Sequence, residues 1–358
     1  MMLRLLFLLT LTSTSPAREE GFVPLFNGKD LNGWVNVNCA PETWTVRDGI
    51  LHCDGVPTGA LRTEKQYENF IMEVEWRHLK SGGNAGVFIW AGPLSAPGQP
   101  FLRAIEVQVL DHGYGQGDSH TTHGDVFPIH GSTMNPFGRH HGQRSFPSEE
   151  RSKPSPEWNH YRITCQDGTL RLAVNGKDVS GGSDCTWRKG YLALESEGGV
   201  VDWRNLRIKE LPGGKATPEQ TAPAADGSVS LYDGRSLNGW VSTGPAGDWR
   251  PDDWQLASSG QGGTLTLVKK PGDFRLQFDI RTGDQAATAA LPLCLNGQPL
   301  PGQATGQWTR YFVTRRGSKV EYHAEGAEAM PLPPAAGPLE ISLKSAALFQ
   351  LAGIYLKE

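Results

Sequence analysis

The chain has 358 residues, of which 38% are hydrophobic and 20% charged, values typical of a globular protein long enough for two domains. Its formal net charge of -4 argues against an electrostatic nucleic-acid binder. The 44 glycines, 25 prolines and 11 tryptophans predict an all-β protein with many turns.

The first residues have the pattern of a secretory signal. Arg4 precedes the apolar run Leu5–Leu9, and small and polar residues follow from Thr12 to Ala17. This pattern predicts a signal peptide over residues 1–17, and therefore an exported protein, periplasmic or extracellular. No other run approaches the roughly 20 apolar residues that a membrane span requires, so we expect none.

Five cysteines are present: Cys39, Cys53, Cys165, Cys185 and Cys294. In an exported chain the sequence allows the bridges Cys39–Cys53 and Cys165–Cys185, without fixing the connectivity. The sequence contains no C-x-x-C pair, so a thiolate zinc site is not expected.

The chain repeats itself. The segment Pro24–Trp34 returns as Ser230–Trp240, with the Leu-Asn-Gly-Trp ending unchanged. Further matches follow in the same order, among them Phe70–Arg77 with Phe274–Arg281. Ordered self-similarity of this kind indicates a duplicated domain.

A segment rich in Gly, Pro, Ala and Thr separates the two copies. It predicts a flexible linker over residues 213–227. The domains are then expected at residues 21–212 and 228–358, the second being a degenerate and shortened copy.

Strands are predicted by the alternation of apolar and polar residues. This alternation is clear over residues 70–76 and 104–110, and Gln166-Asp167-Gly168 marks a hairpin turn. No long segment has the helical period. Each domain is therefore expected to be a two-sheet antiparallel β-sandwich or jelly roll.

The two copies differ most between Trp90 and Trp158, where the first carries an extra segment of roughly 50 residues. Six of the ten histidines fall within it: His112, His120, His123, His130, His140 and His141. Long irregular segments in compact domains are usually functional, and imidazole both titrates near neutrality and ligates metals. The insertion is therefore the first place to look for a site.

A metal site is one interpretation of this segment. His120, His123 and Asp125 lie within six residues, and Glu106 precedes them on a strand. Such a His/His/carboxylate set suits one divalent ion such as Zn, Mn, Fe or Co. The alternative is a polar loop whose histidines are satisfied by hydrogen bonds.

A sugar-binding groove is predicted beside it. Glu106 and Gln108 share one face of a strand, which is either the floor of a groove or a solvated outer surface. Asn84, in a Gly-rich turn, could add an amide facing that groove. Trp90 has no counterpart in the second copy and either stacks on a sugar or packs in the core.

Six motifs in order resemble the 3-keto-disaccharide hydrolase family. They are Phe26–Trp34, Trp44–Gly49, Gly83–Gly86, Glu106–Gln108, Glu157–Asn159 and Asp202–Ile208. The resemblance covers essentially all of the first domain. It implies a concanavalin A-like jelly roll with its site on the concave face, and glycosides oxidised at C3 as substrates.

That resemblance implies a specific chemistry. The 3-keto group acidifies the C2 proton, a base removes it, and the C1 substituent leaves from the enediolate, after which water can add. We expect Glu106 and a histidine, first His123 and then His120, to supply base or metal ligation, without assigning which does which. Asn84, Gln108, Trp90 and His130 are the expected substrate-binding residues.

Three other functions stay open at this point. A non-catalytic, lectin-like carbohydrate-binding protein would suit the sandwich fold and the tryptophan count. A structural or cell-surface role would place a partner site in the second domain. An ordinary glycosidase needs two acidic groups at a defined separation, and only Glu106 and Asp125 stand out.

Overall fold

The structure, a computed structural model, describes residues 19–285 and 287–358. The predicted signal peptide at 1–17 lies outside the described residues. Within them the regular elements are strands, apart from two short 3-10 helices at His112–Tyr114 and Pro218–Gln220. The predicted all-β class is therefore confirmed.

Among the described residues, the N-terminal part of the chain contains seventeen strands. They are β1 Val23–Pro24, β2 Trp34–Val37, β3 Trp44–Arg47, β4 Ile50–Cys53, β5 Gly59–Thr63, β6 Phe70–His78, β7 Asn84–Ala91, β8 Ala104–Leu110, β9 Val126–Ile129, β10 Thr133–Pro136, β11 His140–His141, β12 Arg144–Ser145, β13 Asn159–Gln166, β14 Thr169–Val174, β15 Lys177–Thr186, β16 Tyr191–Ser196 and β17 Val201–Glu210.

The described residues of the C-terminal part contain fifteen more strands. They are β18 Val229–Ser230, β19 Trp240–Thr243, β20 Trp249–Asp252, β21 Gln255–Ser258, β22 Thr264–Leu267, β23 Phe274–Thr282, β24 Ala289–Ala290, β25 Leu293–Leu295, β26 Gln298–Pro299, β27 Gln303–Ala304, β28 Thr309–Arg316, β29 Lys319–Ala324, β30 Met330–Leu332, β31 Ile341–Lys344 and β32 Phe349–Lys357.

Two antiparallel sheets form the N-terminal part. The long sheet has the order β10-β15-β14-β13-β6-β17-β4-β3, with β1 paired to β17, and the cleft sheet has the order β11-β12-β9-β8-β7-β16-β5-β2. Their facing sides meet in one hydrophobic core. The alternation that predicted the strands explains the packing, since Met72 and Val74 of β6 and Val107 of β8 all point into this core.

The C-terminal part has a strand order of the same kind around a second core. Its long sheet contains β29-β28-β23-β32-β21-β20, which corresponds to β14-β13-β6-β17-β4-β3. Its second sheet, β19-β22-β31-β25-β26, is shorter than the cleft sheet by three strands. The equal order supports the duplication, while the domain boundaries at 212 and 228 stay predictions.

The predicted disulfides are absent. All five cysteines are free, buried thiols. Burial raises the pKa of Cys53 and of Cys185 to about 12, so these thiols stay protonated and pack as small apolar groups. The cysteines are therefore buried as part of the hydrophobic packing, and they form no covalent bridges.

None of the helices in the described ranges is long and apolar enough to cross a membrane.

Candidate functional site

A cleft of about 460 Å³ lies on the face of the cleft sheet that is turned away from the core. Because side chains alternate along β8, Ile105, Val107 and Val109 enter the core, and Glu106 and Gln108 face the cleft. The lining residues are Asn84, Phe101, Glu106, Gln108, Leu110, Tyr114, Ser119, His120, Phe127, Ile129, His130, Arg144, Glu195 and Glu197. The groove interpretation of the Glu106 strand therefore agrees with the structure.

Two buried carboxyl groups converge at the centre of this cleft. Strand β7 runs between β8 and β16, and Gly86 of β7 lies next to both Glu106 and Glu195. A Cβ placed on Gly86 would lie 2.9 Å from Glu195 Oε2 and 3.0 Å from Glu106 Oε1. The two oxygens are therefore no further apart than the sum of these distances, and only a glycine leaves them room to approach.

These carboxyl groups hold protons more tightly than exposed ones. Burial raises the pKa of Glu106 to about 8, with repulsion from Glu197 adding to the effect and Arg144 opposing it. Burial, and then repulsion from Glu106 and Glu197, raises the pKa of Glu195 well above its ordinary value. Burial raises the pKa of Glu197 to about 7, although a hydrogen bond from Asn84 lowers it. Near neutral pH the cluster therefore contains both acid and base forms.

A directed chain of hydrogen bonds orients the polar end of the cleft. Arg144 Nη1 donates to Gln108 Oε1 at 3.5 Å, and Gln108 Nε2 donates to Asn84 Oδ1 at 2.8 Å. Asn84 Nδ2 in turn donates to Glu197. The side-chain amides of Gln108 and Asn84 are each oriented by the hydrogen bonds to their neighbours. The chain of donors that begins at Arg144 therefore ends at the carboxylate of Glu197, which accepts the last hydrogen bond.

The guanidinium of Arg144 is held from two sides. It forms an ion pair with Asp125 at 3.2 Å, and its Cζ lies 3.4 Å from the centre of the Phe127 ring. Asp125 is fully buried and also accepts from the backbone N–H and the hydroxyl of Thr121. These contacts leave a positioned cation on the wall of the cleft beside Glu106.

The other end of the cleft is apolar. Register pairs Ala104 with Ile129 and Glu106 with Phe127, so the lining becomes apolar toward the start of β8. There the rings of Phe101 and His130 stack with centroids 6.2 Å apart. The cleft thus has a polar end that suits hydroxyl and keto groups and an apolar end that suits a ring face.

The sequence profile of a family described as the 3-keto-alpha-glucoside-1,2-lyase-like domain matches residues 21–209, more than half of the chain. The protein belongs to this family. The resemblance found in the sequence motifs is thereby confirmed, and the chain is placed among carbohydrate-active, glycosyl hydrolase-like proteins.

Similar proteins include a 3-keto-disaccharide hydrolase of Bacteroides thetaiotaomicron, 23% identical over 252 residues that cover 55% of this chain and 80% of that protein. A solved structure from Parabacteroides distasonis, provisionally named a glycosyl hydrolase, is 22% identical and covers 54% of this chain and 94% of its own, with a TM-score of 0.41. A carbohydrate-binding module, CBM66 of Bacillus subtilis, is 12% identical and covers 50% and 96%, with a TM-score of 0.36.

Several residues predicted from the sequence lie together. Glu106, Gln108, Asn84, His120 and His130 all line the cleft. The ring of His120 contacts that of Tyr114 edge to face, with centroids 5.8 Å apart, at the rim. Their roles toward substrate stay predictions.

Two of the residues predicted for catalysis or substrate binding do not reach the cleft. His123 is buried in a neighbouring cavity, where its Nδ1 lies 2.8 Å from Ser152 Oγ and its Nε2 3.0 Å from Gln116 Nε2. Trp90 is fully buried, and its Nε1 donates to Glu68 O at 2.9 Å. Trp90 has a φ of +53°, and this break in the alternation turns its ring away from the face of Phe88 and into the core.

The predicted metal set is not assembled. Asp125 is occupied by Thr121 and Arg144, and His123 lies in the other cavity. Across residues 19–285 and 287–358, no three His, Cys, Asp or Glu side chains are grouped as metal ligands would be. The four ligands predicted from the sequence are therefore not brought together, and a bound ion stays a prediction.

Sequence reasoning missed Glu195, Glu197 and Arg144. A signal for the two glutamates exists, since they lie at the end of β16, and the corresponding strand of the C-terminal part, Ile341–Lys344, has no acidic residue. No periodic signal marks Arg144, because it lies in the irregular insertion.

Proposed function

We propose that this protein is a carbohydrate-active enzyme that cleaves the glycosidic bond of 3-keto-glycosides by proton abstraction at C2 and elimination at C1, with water adding to the product in a hydrolytic cycle. The convergence of the Glu106 and Glu195 carboxyl groups above Gly86, beside the Arg144 cation, carries this proposal. Family membership supports the 3-keto substrate class.

The two carboxyl groups are proposed to divide the acid and base roles. Arg144 lowers the pKa of Glu106 and not that of Glu195, so Glu106 is the first of the two to release its proton, and in its ionised form it is the base that takes the C2 proton. Glu195 is surrounded by acidic groups and keeps its proton, which it gives to the departing C1 oxygen. Within residues 19–285 and 287–358, Glu195 Oε2 has no hydrogen-bond partner, as a group reserved for substrate would.

The remaining polar groups are proposed to stabilise the charge that develops in the reaction and to orient the sugar. When the C2 proton leaves, negative charge develops on the 3-keto oxygen, and a fixed cation or donor stabilises it. Arg144 is that cation, held by Asp125 and Phe127. The amides of Gln108 and Asn84 are placed to bind the sugar hydroxyls.

We also propose that the protein is exported, on the strength of the signal pattern at residues 1–17. Expression of the full chain in a bacterial host and N-terminal sequencing of the extracytoplasmic product should show a start near residue 18. A product that keeps Met1 and stays in the cytoplasm would contradict export.

Purified protein is incubated with 4-nitrophenyl 3-keto-glucoside in deuterated buffer, with and without EDTA. We expect release of nitrophenol by the wild type, unaffected by EDTA, and deuterium at C2 of recovered substrate or product. Glu106→Gln should lose about 10²–10⁴-fold in rate, the usual contribution of a general base. Glu73→Gln is the matched control, because Glu73 is buried in an ion-pair cluster with Arg162 and Arg207.

Four results would contradict the proposal or a part of it. Full activity of Glu106→Gln would show that Glu106 is not the base. Cleavage of the ordinary, unoxidised glucoside at the same rate would show that the keto group is not used. Binding of the sugar without any turnover would favour the lectin-like alternative, and loss of activity with EDTA would restore the metal to the mechanism.

A further inference from the structure

The connection between β7 and β8, residues 92–103, touches both parts of the chain. One end leads into β8 and carries Phe101, whose ring lines the apolar end of the cleft and packs against Phe88 with centroids 5.8 Å apart. The middle of this connection, Ser95–Gly98, contacts the C-terminal part. The same short segment therefore links the cleft wall to a second, separate core.

The contacts with the C-terminal part are directional and buried. Arg310 Nη2 donates to Ser95 O at 3.0 Å, and the hydroxyl of Tyr355 lies 3.1 Å from Ser95 Oγ. The backbone N–H of Gly98 donates to Asp279 Oδ2 at 2.8 Å. Ser95, Asp279 and Tyr355 are all 2% exposed or less, so water cannot replace these bonds.

Steric fit adds to the hydrogen bonds. Gly98 has a φ of +65°, and a Cβ on it would lie 2.4 Å from Cγ of Trp308. The backbone thus rests directly on the indole of the C-terminal part. Any side chain at this position must push the segment away from Trp308.

The duplication shows that this surface is a modification of the repeated sheet. In the N-terminal long sheet, the cross-strand pair Glu75 and His160 lies on the outer face, and Glu75 accepts from Arg204 at 2.7 Å. The corresponding pair in the C-terminal long sheet is Asp279 and Arg310, a two-bond ion pair at 2.6 and 2.8 Å. There the pair is buried beneath residues 92–103. The outer face of the second copy has become a docking surface.

We propose that the C-terminal part is a positioning element for the cleft: by holding residues 92–103 it sets the place of Phe101 and so the affinity for the leaving group. This inference rests on the proposed function, in which the polar end of the cleft takes the keto sugar. The apolar end, at Phe101 and His130, then takes an aglycone with a flat apolar face.

The test compares two glycine variants of the full chain. Gly98→Ala introduces a Cβ against Trp308, whereas Gly138→Ala introduces one at nearly the same φ, +64°, with open space around it. Both variants carry the same backbone strain, so their difference reports the docking alone. Tyr355→Phe, which removes one hydroxyl from the interface, is a second and milder variant.

We expect Gly98→Ala to raise KM for 4-nitrophenyl 3-keto-glucoside by about tenfold, with kcat and its pH dependence unchanged. Amide hydrogen exchange over residues 92–103 should be faster in Gly98→Ala and in Tyr355→Phe than in the wild type or Gly138→Ala. Gly98→Ala should also melt at a lower temperature than Gly138→Ala, because the displaced segment loses buried hydrogen bonds. An unchanged far-UV circular dichroism spectrum in both variants separates this local displacement from loss of fold.

Equal KM and equal exchange in Gly98→Ala and Gly138→Ala would overturn the inference. If the wild type turns over no keto-glucoside, the proposed function fails, and calorimetric binding of the same compound replaces KM. Weaker binding and faster exchange confined to Gly98→Ala and Tyr355→Phe would then still support positioning, and unchanged values would refute it.

Discussion

Replacing Glu106 by glutamine should make the folded protein more stable at pH 8 than the wild type. Burial first, and then repulsion from Glu197, raises the pKa of Glu106 from 4.5 to about 8. Between these pH values the unfolded chain has released a proton that the folded chain retains. The stability contributed by this proton is fully present below pH 4.5 and is lost as pH rises to about 8.

The size of the effect follows from the shift. Each unit of pKa difference between the folded and unfolded chain changes the free energy of unfolding by about 1.36 kcal/mol. Raising the pH to 8 should therefore lower the free energy of unfolding of the wild type by roughly 4 kcal/mol relative to a variant with a neutral side chain at this position. Glutamine has nearly the same shape and carries no charge at any pH. Glu106→Gln should therefore match the wild type at pH 4.5 and exceed it at pH 8, as measured by urea unfolding followed by tryptophan fluorescence.

For the control variant Glu73→Gln we expect a change in stability at pH 8 of the opposite sign. Burial tends to raise the pKa of Glu73, but hydrogen bonds from Arg207 and Arg162 outweigh it and lower the pKa. The stability from Glu73 is therefore present above its unfolded pKa and lost at lower pH. Glu73→Gln should destabilise the protein at pH 8. A parallel pH dependence for Glu106→Gln and the wild type would refute the account of a strained carboxyl cluster.

Three other changes probe the same site. Gly86→Ala should lower the rate at least about tenfold by separating the two carboxyl groups above it, with an unchanged circular dichroism spectrum. Asn84→Ala removes the hydrogen bond that lowers the pKa of Glu197, so Glu197 keeps its proton to higher pH and repels Glu106 less. The acidic limb of the pH–rate profile, which the base Glu106 sets, should therefore move to lower pH. Arg144→Met leaves Asp125 buried without its cation and should cost about 3 kcal/mol in unfolding free energy, whereas an unchanged value would show that the ion pair is dispensable.

The local alternation of apolar and polar residues was sufficient to predict much of the fold and part of the cleft. The alternation along β8 correctly separates Val107, in the core, from Glu106 and Gln108, in the cleft, because a strand has a strict period of two. Alternation does not place Trp90, because its positive φ breaks the period of the strand; its ring packs in the core, one of the two alternatives that the sequence left open.

In the insertion, the sequence pattern does not predict where the side chains lie. Its histidines were grouped in the sequence, yet His123 lines a neighbouring cavity, whereas His120 and His130 line the cleft. An irregular segment has no period, so the face that each side chain presents depends on the path of the chain. Arg144 reaches the cleft only because Asp125 and Phe127 hold it there.

By itself, the sequence determined the family, the all-β class and the strand that carries Glu106, because these depend on ordered motifs and on local periodicity. Only the tertiary structure decided that Glu195, far along the chain, meets Glu106 above Gly86. That meeting depends on β16 and β8 both pairing with β7 in one sheet. The mutual repulsion of the two carboxyl groups, and the chemistry proposed for them, exist only once this long-range pairing has brought them together and buried them.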